Sequence, residues 1–337
     1  MKNAVVSIIT NLDGLILKNY VSLFKEKNSL ITFLFHGLFN DKNEIALNHV
    51  LPQQAITTDI FRHFVEYYLK HDYLFISPQD ILCGLETDKK YVLITFDDGY
   101  YNNHLALPIL QEYQVPAVFF ISPGHIAQNK CFWWDVIHRE GLKRGTSIEK
   151  VEKEILTLKQ KKNADIEQYI KDNFGVNALC PISDIDRPFT PSELNEFSKK
   201  QFVFLGNHTN NHAILTNYSL SEIKTEIVDA QKSILNFTGI EPIIIAYPNG
   251  NFSSDILPII KECGIKLGIT VVELKNYFPI NLKGNDAFLL NRFILWGNKN
   301  VDVQCASFRS DIQLLNKVKK YVKQRRYVKE RRNENSM

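Results

Sequence analysis

An apolar run, Tyr91-Val-Leu-Ile-Thr-Phe96, stops abruptly at Asp97-Asp98-Gly99. Six residues of this kind read as a strand buried on both faces of a parallel sheet. Two adjacent carboxylates at the tip of such a strand repel one another in a confined space, and a proton or a cation must neutralise one of them. Chemistry in parallel α/β folds sits at the carboxyl ends of the strands, where this pair falls. The same five residues, Thr95 to Gly99, also suit an ordinary Asp-Asp-Gly turn, so the pair alone leaves both readings open.

The pattern repeats along the chain. Leu30–Phe35 runs into His36-Gly37, Ala117–Ile121 into Ser122-Pro-Gly, Phe202–Leu205 into Gly206-Asn207-His208, and Ile243–Ala246 into Tyr247-Pro248-Asn249-Gly250. Leu267–Val271 and Phe288–Leu295 complete about seven strands. Helices separate most of them. Thr58 caps one through about His71, another lies near 103–113, Pro191 opens a third, and a fourth covers about 254–263. Ser219 and Glu222 form a capping box for a helix that ends before Gly239. Alternation of this kind specifies an α/β fold. Polar residues at successive strand ends favour a closed or nearly closed (β/α) barrel of about seven parallel strands, which gathers them on one rim. The barrel is expected over residues 30–310.

Residues 125–190 break the rhythm and read as a helical insertion. It opens on Phe132-Trp133-Trp134-Asp135 and continues as one lysine- and glutamate-rich helical stretch over 147–173, whose charges read as a solvated face. An amphipathic helix over 11–28 is expected in an N-terminal extension, residues 1–29. A basic tail, 311–337, carries Lys317-Val-Lys-Lys-Tyr321 and Arg325-Arg-Tyr-Val-Lys-Glu-Arg-Arg332. It reads as a solvated helix, with peripheral attraction to an anionic membrane surface as the other reading.

A net charge of +3 over 337 residues gives no ground for a nucleic-acid partner. Five scattered cysteines without a Cys-x-x-Cys pair read as reduced thiols. No run reaches the roughly 18 apolar residues of a membrane span, and the start lacks the apolar core and cleavage site of an export signal. The expectation is a cytoplasmic protein, with peripheral attachment at the inner membrane surface through its tail as the second reading.

His208-Thr-Asn-Asn-His212 places two imidazoles four residues apart, which on a helical turn face the same way. With one Asp from the strand end they offer two nitrogens and one oxygen. Three protein ligands leave a position open for water, the pattern of a catalytic zinc site. Zinc would lower that water's pKa towards roughly 7. One Asp would bind the metal and the other would accept the proton.

These residues resemble the motifs of the polysaccharide deacetylases, carbohydrate esterase family four. Thr95-Phe-Asp-Asp-Gly99 is similar to the first motif and His208-Thr-Asn-Asn-His212 to the second, while Ala246-Tyr-Pro-Asn-Gly250 stands in place of the third. The resemblance spans about residues 30–296 and implies a distorted (β/α) barrel and metal-dependent hydrolysis of N-acetyl groups on amino sugars. Carried over, it makes Asp97 the general base and Asp98, His208 and His212 the metal ligands. The Asn249 backbone N–H then helps to hold the oxyanion, and Tyr247, Pro248 and Gly250 line the substrate groove. Arg292 resembles the arginine that orients the catalytic Asp. The third motif here has Ala246 where an arginine is usual, and Asn249 where an aromatic is usual. The family's late Leu-x-His acid is not visible. Phe33-Leu-Phe-His36-Gly37 instead resembles a strand of the permuted branch that includes the poly-N-acetylglucosamine deacetylases, which nominates His36 as the acid. Trp133 and Trp134 are expected to shape the groove. Zn2+ suits the ligand set, and Co2+, Ni2+ or Fe2+ would also fit. The expected partner is an N-acetylated amino-sugar glycan or its precursor. Removal of formyl or another acyl group from a lipid- or nucleotide-linked amino sugar is the second reading. An inactive glycan-binding module is the third, disfavoured because the constellation is intact.

Overall fold

The computed structural model describes residues 26–311, so the bulk of the expected N-terminal helix and the whole Lys- and Arg-rich part of the tail lie outside the described residues. The chain divides into two compact units. The smaller joins the two chain ends. Its helix Val301–Arg309 is capped by the Asn300 side chain, which accepts from the Val303 N–H. Here Arg309 also pairs with Glu26 at 3.1 Å. The larger unit, Asn28–Lys299, contains the sheet and the insertion.

The sheet is built on β1 (Ser29–Phe35), β5 (Tyr91–Phe96) and β6 (Ala117–Ile121), every residue of which is buried. Short strands β2 (Leu38–Phe39), β3 (Ile56–Thr57) and β4 (Leu74–Phe75) lie between the first two. The sheet continues through β7 (Val203–Asn207), β8 (Ile244–Ala246) and β9 (Leu267–Ile269), followed by β10 (Asn276–Tyr277) and β11 (Phe293–Ile294). The order is β10-β1-β5-β6-β7-β8-β9, parallel except where β10 meets β1. Beyond β9 the ring is completed irregularly. Leu290 bridges to Ile269, and β11 then pairs with β1 at Phe33 and Leu34. The result is a distorted (β/α) barrel.

Strands β1, β5, β6 and β7 appear where the apolar runs place them. The last expected strand differs, because only Phe293–Ile294 of Phe288–Leu295 is regular. The lower part of the β1 edge is already taken by β10. The segment between must also turn the Arg292 side chain fully inward, with no solvent exposure.

Register aligns the strand ends. Six consecutive pairs, Leu30 with Tyr91 through Phe35 with Phe96, bring His36 and Asp97 to the same rim. Ile121 pairs with Asn207 and Asn207 with Ile245, so His208 emerges beside Ser122 and Ala246.

Helix Thr58–Lys70 buries Phe61, Phe64, Val65 and Tyr68, the i, i+3, i+4, i+7 stripe of an amphipathic helix. Phe64 packs edge-on against Phe33 and Phe35 at 4.7 and 5.2 Å. Burying a side chain of this size contributes about 2–3 kcal/mol. Replacing Phe64 with Ala would cost about 3–5 kcal/mol, the lost transfer plus a cavity.

The insertion contains three helices of this kind, Trp133–Lys143, Ile148–Leu158 and Asn163–Phe174. They share a separate core that includes Val136, Ile137, Val151, Ile155, Leu158, Ile166 and Ile170. The helical stretch expected over 147–173 is two helices, interrupted at 159–162. At the break, Asn217 Nδ2 donates to the carbonyls of both Lys159 and Lys161 at 2.9 Å. No helix among the described residues is long and apolar enough to cross a membrane.

Candidate active site

Asp97 and Asp98 follow β5 directly and are both buried. The Asp97 N–H donates to the Phe35 carbonyl at 2.8 Å, which continues the strand ladder one step past its end. Asp98 and Gly99 then take φ of +77° and +84°. Such a φ is uncommon for a residue with a side chain, and Asp tolerates it better than most. The turn directs the two carboxylates to different partners.

Arg292 holds Asp97. Its two terminal nitrogens donate to Oδ1 and Oδ2 at 2.7 and 2.9 Å, its Nε donates to the Thr270 carbonyl at 2.9 Å, and one terminal nitrogen also reaches Thr95 Oγ1 at 3.1 Å. Burial alone would raise the Asp97 pKa. The adjacent Arg292 charge, with His208, outweighs it and holds the carboxyl below its ordinary range.

Asp98 faces the two imidazoles. His208 Nε2 and His212 Nε2 lie 3.5 and 3.4 Å from Asp98 Oδ1. His208 Nδ1 is 2.8 Å from the Ala246 carbonyl, an acceptor only, so Nδ1 carries a hydrogen and Nε2 is the ring atom turned towards Asp98. Burial pushes the His212 pKa down to about 3, so this imidazole is neutral. Asp98 is also buried, which would raise its pKa. The contact with His208 and the nearby His36 and His212 reverse this and bring it well below the usual carboxylate range.

The His208–His212 pair is not helical. Thr209 and His212 have φ of +61° and +54°. The loop is held instead by side chains: Thr209 N–H donates to Asn207 Oδ1, Ala213 N–H to Thr209 Oγ1, and Asn211 donates twice to the Glu226 carboxylate. The four-residue spacing therefore serves convergence through a tight loop, and helical periodicity has no part in it.

The three side chains fit a divalent cation. Their ligand atoms all lie within 4.8 Å of one another. Asp98 Oδ1 is buried without a hydrogen-bond donor, a costly state for a carboxylate that a cation would relieve. Two imidazole nitrogens and one carboxylate suit zinc or a neighbouring first-row metal.

His36 is half-buried on the same rim, within electrostatic reach of both carboxylates. Its Nδ1 lies 2.9 Å from Gln54 Oε1, and Gln54 Nε2 donates to the Leu34 carbonyl at 2.8 Å. Because the amide nitrogen is committed to Leu34, the amide oxygen accepts from His36 Nδ1–H. Gln54 was not singled out from the sequence, since a lone glutamine in a loop carries no signal.

The remaining nominated residues are placed differently. Trp133 and Trp134 are buried, at 6% and 5% exposure, in the core of the insertion. They pack there against one another at 5.4 Å, and Trp134 stacks on Phe132 at 4.7 Å. Trp134 still bears on the site: its ring meets His212 at 4.7 Å, and its Nε1–H donates to Tyr100 Oη, which donates to Asp135. Tyr247 is fully buried, with its hydroxyl donating to the Phe288 carbonyl, and Pro248 is buried as well. Both support the turn from behind. Gly250 has φ of +72° and lies so close to Val271 that a Cβ would fall 2.2 Å from its methyl. Asn249, with φ of +58°, is the exposed residue of the turn, and its Oδ1 accepts from Lys159 Nζ at 2.8 Å.

The sequence model of the polysaccharide deacetylase family matches residues 84–268, more than half of the chain. A poly-beta-1,6-N-acetyl-D-glucosamine N-deacetylase of Staphylococcus aureus (strain MSSA476) is 24% identical over 277 residues, which cover 78% of this chain and 77% of that one. Among solved structures, the Streptococcus pyogenes deacetylase PplD in complex with acetate matches with a TM-score of 0.56 at 19% identity, over 83% of this chain and 97% of that one. IcaB from Ammonifex degensii matches with a TM-score of 0.54 at 15% identity, over 84% and 98%. At these identities the two structures are shared folds. With the matched family model and the strand-end constellation, they make this chain a member of the polysaccharide deacetylase family.

Proposed function

We propose that the chain is a cation-dependent hydrolase that removes N-acetyl groups from the amino sugars of a glycan, of the poly-β-1,6-N-acetylglucosamine class that its Staphylococcus aureus relative is named for. The observation that carries this reading is the orphaned Asp98 Oδ1 facing His208 and His212, beside an Asp97 clamped by Arg292. Asp98, His208 and His212 would hold the cation, Zn2+ by preference. When bound, it would polarise a carbonyl and make a water acidic enough for a carboxylate to deprotonate.

The protein's own groups divide the remaining work. Arg292 keeps Asp97 ionised and fixes its orientation, leaving its lone pairs available to take a proton from water. The oxygen of that water attacks the acetamide carbon. The Asn249 N–H, exposed on its turn, is the candidate donor to the developing oxyanion. His36, steadied at Nδ1 by Gln54, gives a proton from Nε2 to the nitrogen as the C–N bond breaks. Acetate and a free sugar amine leave, and one water is consumed.

The test is acetate release from N-acetylated β-1,6-glucosamine oligosaccharides by the zinc-loaded protein. Acetate and amine are expected in equal amounts, lost after chelation and in Asp97→Asn. Release of formate or a longer acid from other amino sugars, with no acetate, would replace this reading with a different deacylase.

A further inference from the structure

Lys159 is an uncompensated charge at the edge of the site. Its Nζ donates to the neutral Asn249 Oδ1 at 2.8 Å, and no carboxylate of the described residues lies within salt-bridge distance of it. It sits within electrostatic reach of Asp98 and His212, and partial burial lowers its pKa. Its position is fixed from several sides. Asn217 binds the carbonyls of Lys159 and Lys161, Asn163 Nδ2 donates to the carbonyl of Asn211, Asn163 N–H donates to Tyr218 Oη, and Lys162 pairs with Glu222 at 2.6 Å. The helical insertion is thereby fastened to residues on both sides of His212, from Asn211 to Glu222, with Lys159 at the join.

The charges around a loaded site favour neutral substrate. Two carboxylates are offset by Arg292 and a divalent cation, and Lys159 adds a further positive charge with nothing to balance it. A sugar bearing an acetamide is neutral, whereas a sugar already deacetylated carries an ammonium. Juxtaposed like charges repel, and exclusion of a wrong ligand is often built from such repulsion.

We propose that Lys159 is a specificity-determining residue that disfavours substrates whose sugars next to the scissile acetamide already carry a free amine. The consequence is that deacetylated residues are spaced along the glycan and do not form blocks. This inference rests on the N-deacetylase reading above.

Three β-1,6 trisaccharides test it with zinc-loaded protein. All keep the acetamide on the central residue, and the flanking residues carry acetamides, hydroxyls or free amines. Wild type is expected to show kcat/KM on the amine-flanked compound about tenfold below the other two. Lys159→Gln should bring the ratio close to one, and Lys159→Arg should retain it. A structural contribution of the Lys159–Asn249 bond would slow all three substrates alike and leave the ratio unchanged. An unchanged ratio in Lys159→Gln overturns the proposal, as does equal slowing of the hydroxyl- and amine-flanked compounds, which would mean recognition of the acetamide and not of charge. No acetate from the fully acetylated trisaccharide overturns the underlying functional reading as well.

Discussion

The guanidinium of Arg292 grips both oxygens of Asp97, 195 residues away in sequence, at 2.7 and 2.9 Å. Both groups are buried, and one-sided removal strands the other charge. Arg292→Met should therefore lower stability by about 3–5 kcal/mol. It should also reduce turnover by at least about a hundredfold, because the base is no longer fixed. Arg292→Lys should recover little of this, since an ammonium cannot form the paired fork. Urea denaturation midpoints and initial rates of acetate release check both effects.

Asp97 and Asp98 are neighbours with different partners, so their variants should separate binding from chemistry. Asp98→Asn, His208→Ala and His212→Ala should each lose bound metal after dialysis. Asp97→Asn should keep near-stoichiometric metal and lose about 10²–10⁴ in kcat. Elemental analysis alongside rate measurement distinguishes the two classes, and a metal-free Asp97→Asn would assign the wrong ligand. Saturating zinc should raise the Tm of wild type, because the cation binds the folded state alone.

His36 and Gln54 act as a pair through the 2.9 Å contact at Nδ1. His36→Gln should retain metal and fall about 10²–10⁴ in kcat. Gln54→Leu should show a smaller loss, with KM nearly unchanged, because it releases the ring without removing it. Equal kcat in wild type and His36→Gln would remove this histidine from the reaction.

Trp134 bears on the site through its contacts with His212 and Tyr100. Trp134→Ala should cost about 3–5 kcal/mol from the cavity. Its zinc affinity should also fall, since the ring that braces His212 is gone. Trp134→Phe should restore most of the stability. Competition titration with a colorimetric chelator measures the affinity, and a variant with normal affinity but altered substrate choice would return Trp134 to the groove.

Glu193 accepts two hydrogen bonds from Arg187, at 2.7 and 3.0 Å, and caps the helix Pro191–Ser198. The Arg187 contact outweighs burial, and the Thr190 N–H adds to it, bringing the Glu193 pKa down to about 2. A depressed folded-state pKa contributes stability that is present above the ordinary value, near 4.5, and is lost as pH falls towards about 2. The carboxylate is partly solvated, so the contribution is discounted to about 1 kcal/mol. Glu193→Gln should be less stable than wild type at pH 6, and the difference should vanish as pH approaches 2.

The strands β1, β5, β6 and β7 and the polar residues at their tips were legible in the chain itself, because a buried strand needs an unbroken apolar run and a cation site needs particular atoms. The motif resemblance supplied the roles. Other features depend on residues distant in sequence. Asn217 takes up carbonyls left free between two helices of the insertion, and side chains of Asn207 and Glu226 hold the His208 loop in a left-handed path that periodicity does not encode. The same four-residue spacing would suit either geometry. Burial turned Trp133, Trp134 and Tyr247 from expected groove residues into supports, since an aromatic side chain serves core and carbohydrate equally well until its neighbours are known. Lys159 was one lysine in a charged stretch, and only the docking of the insertion separated it from the solvated ones. Composition and local order thus determined which groups are available, and long-range packing decided which of them meet.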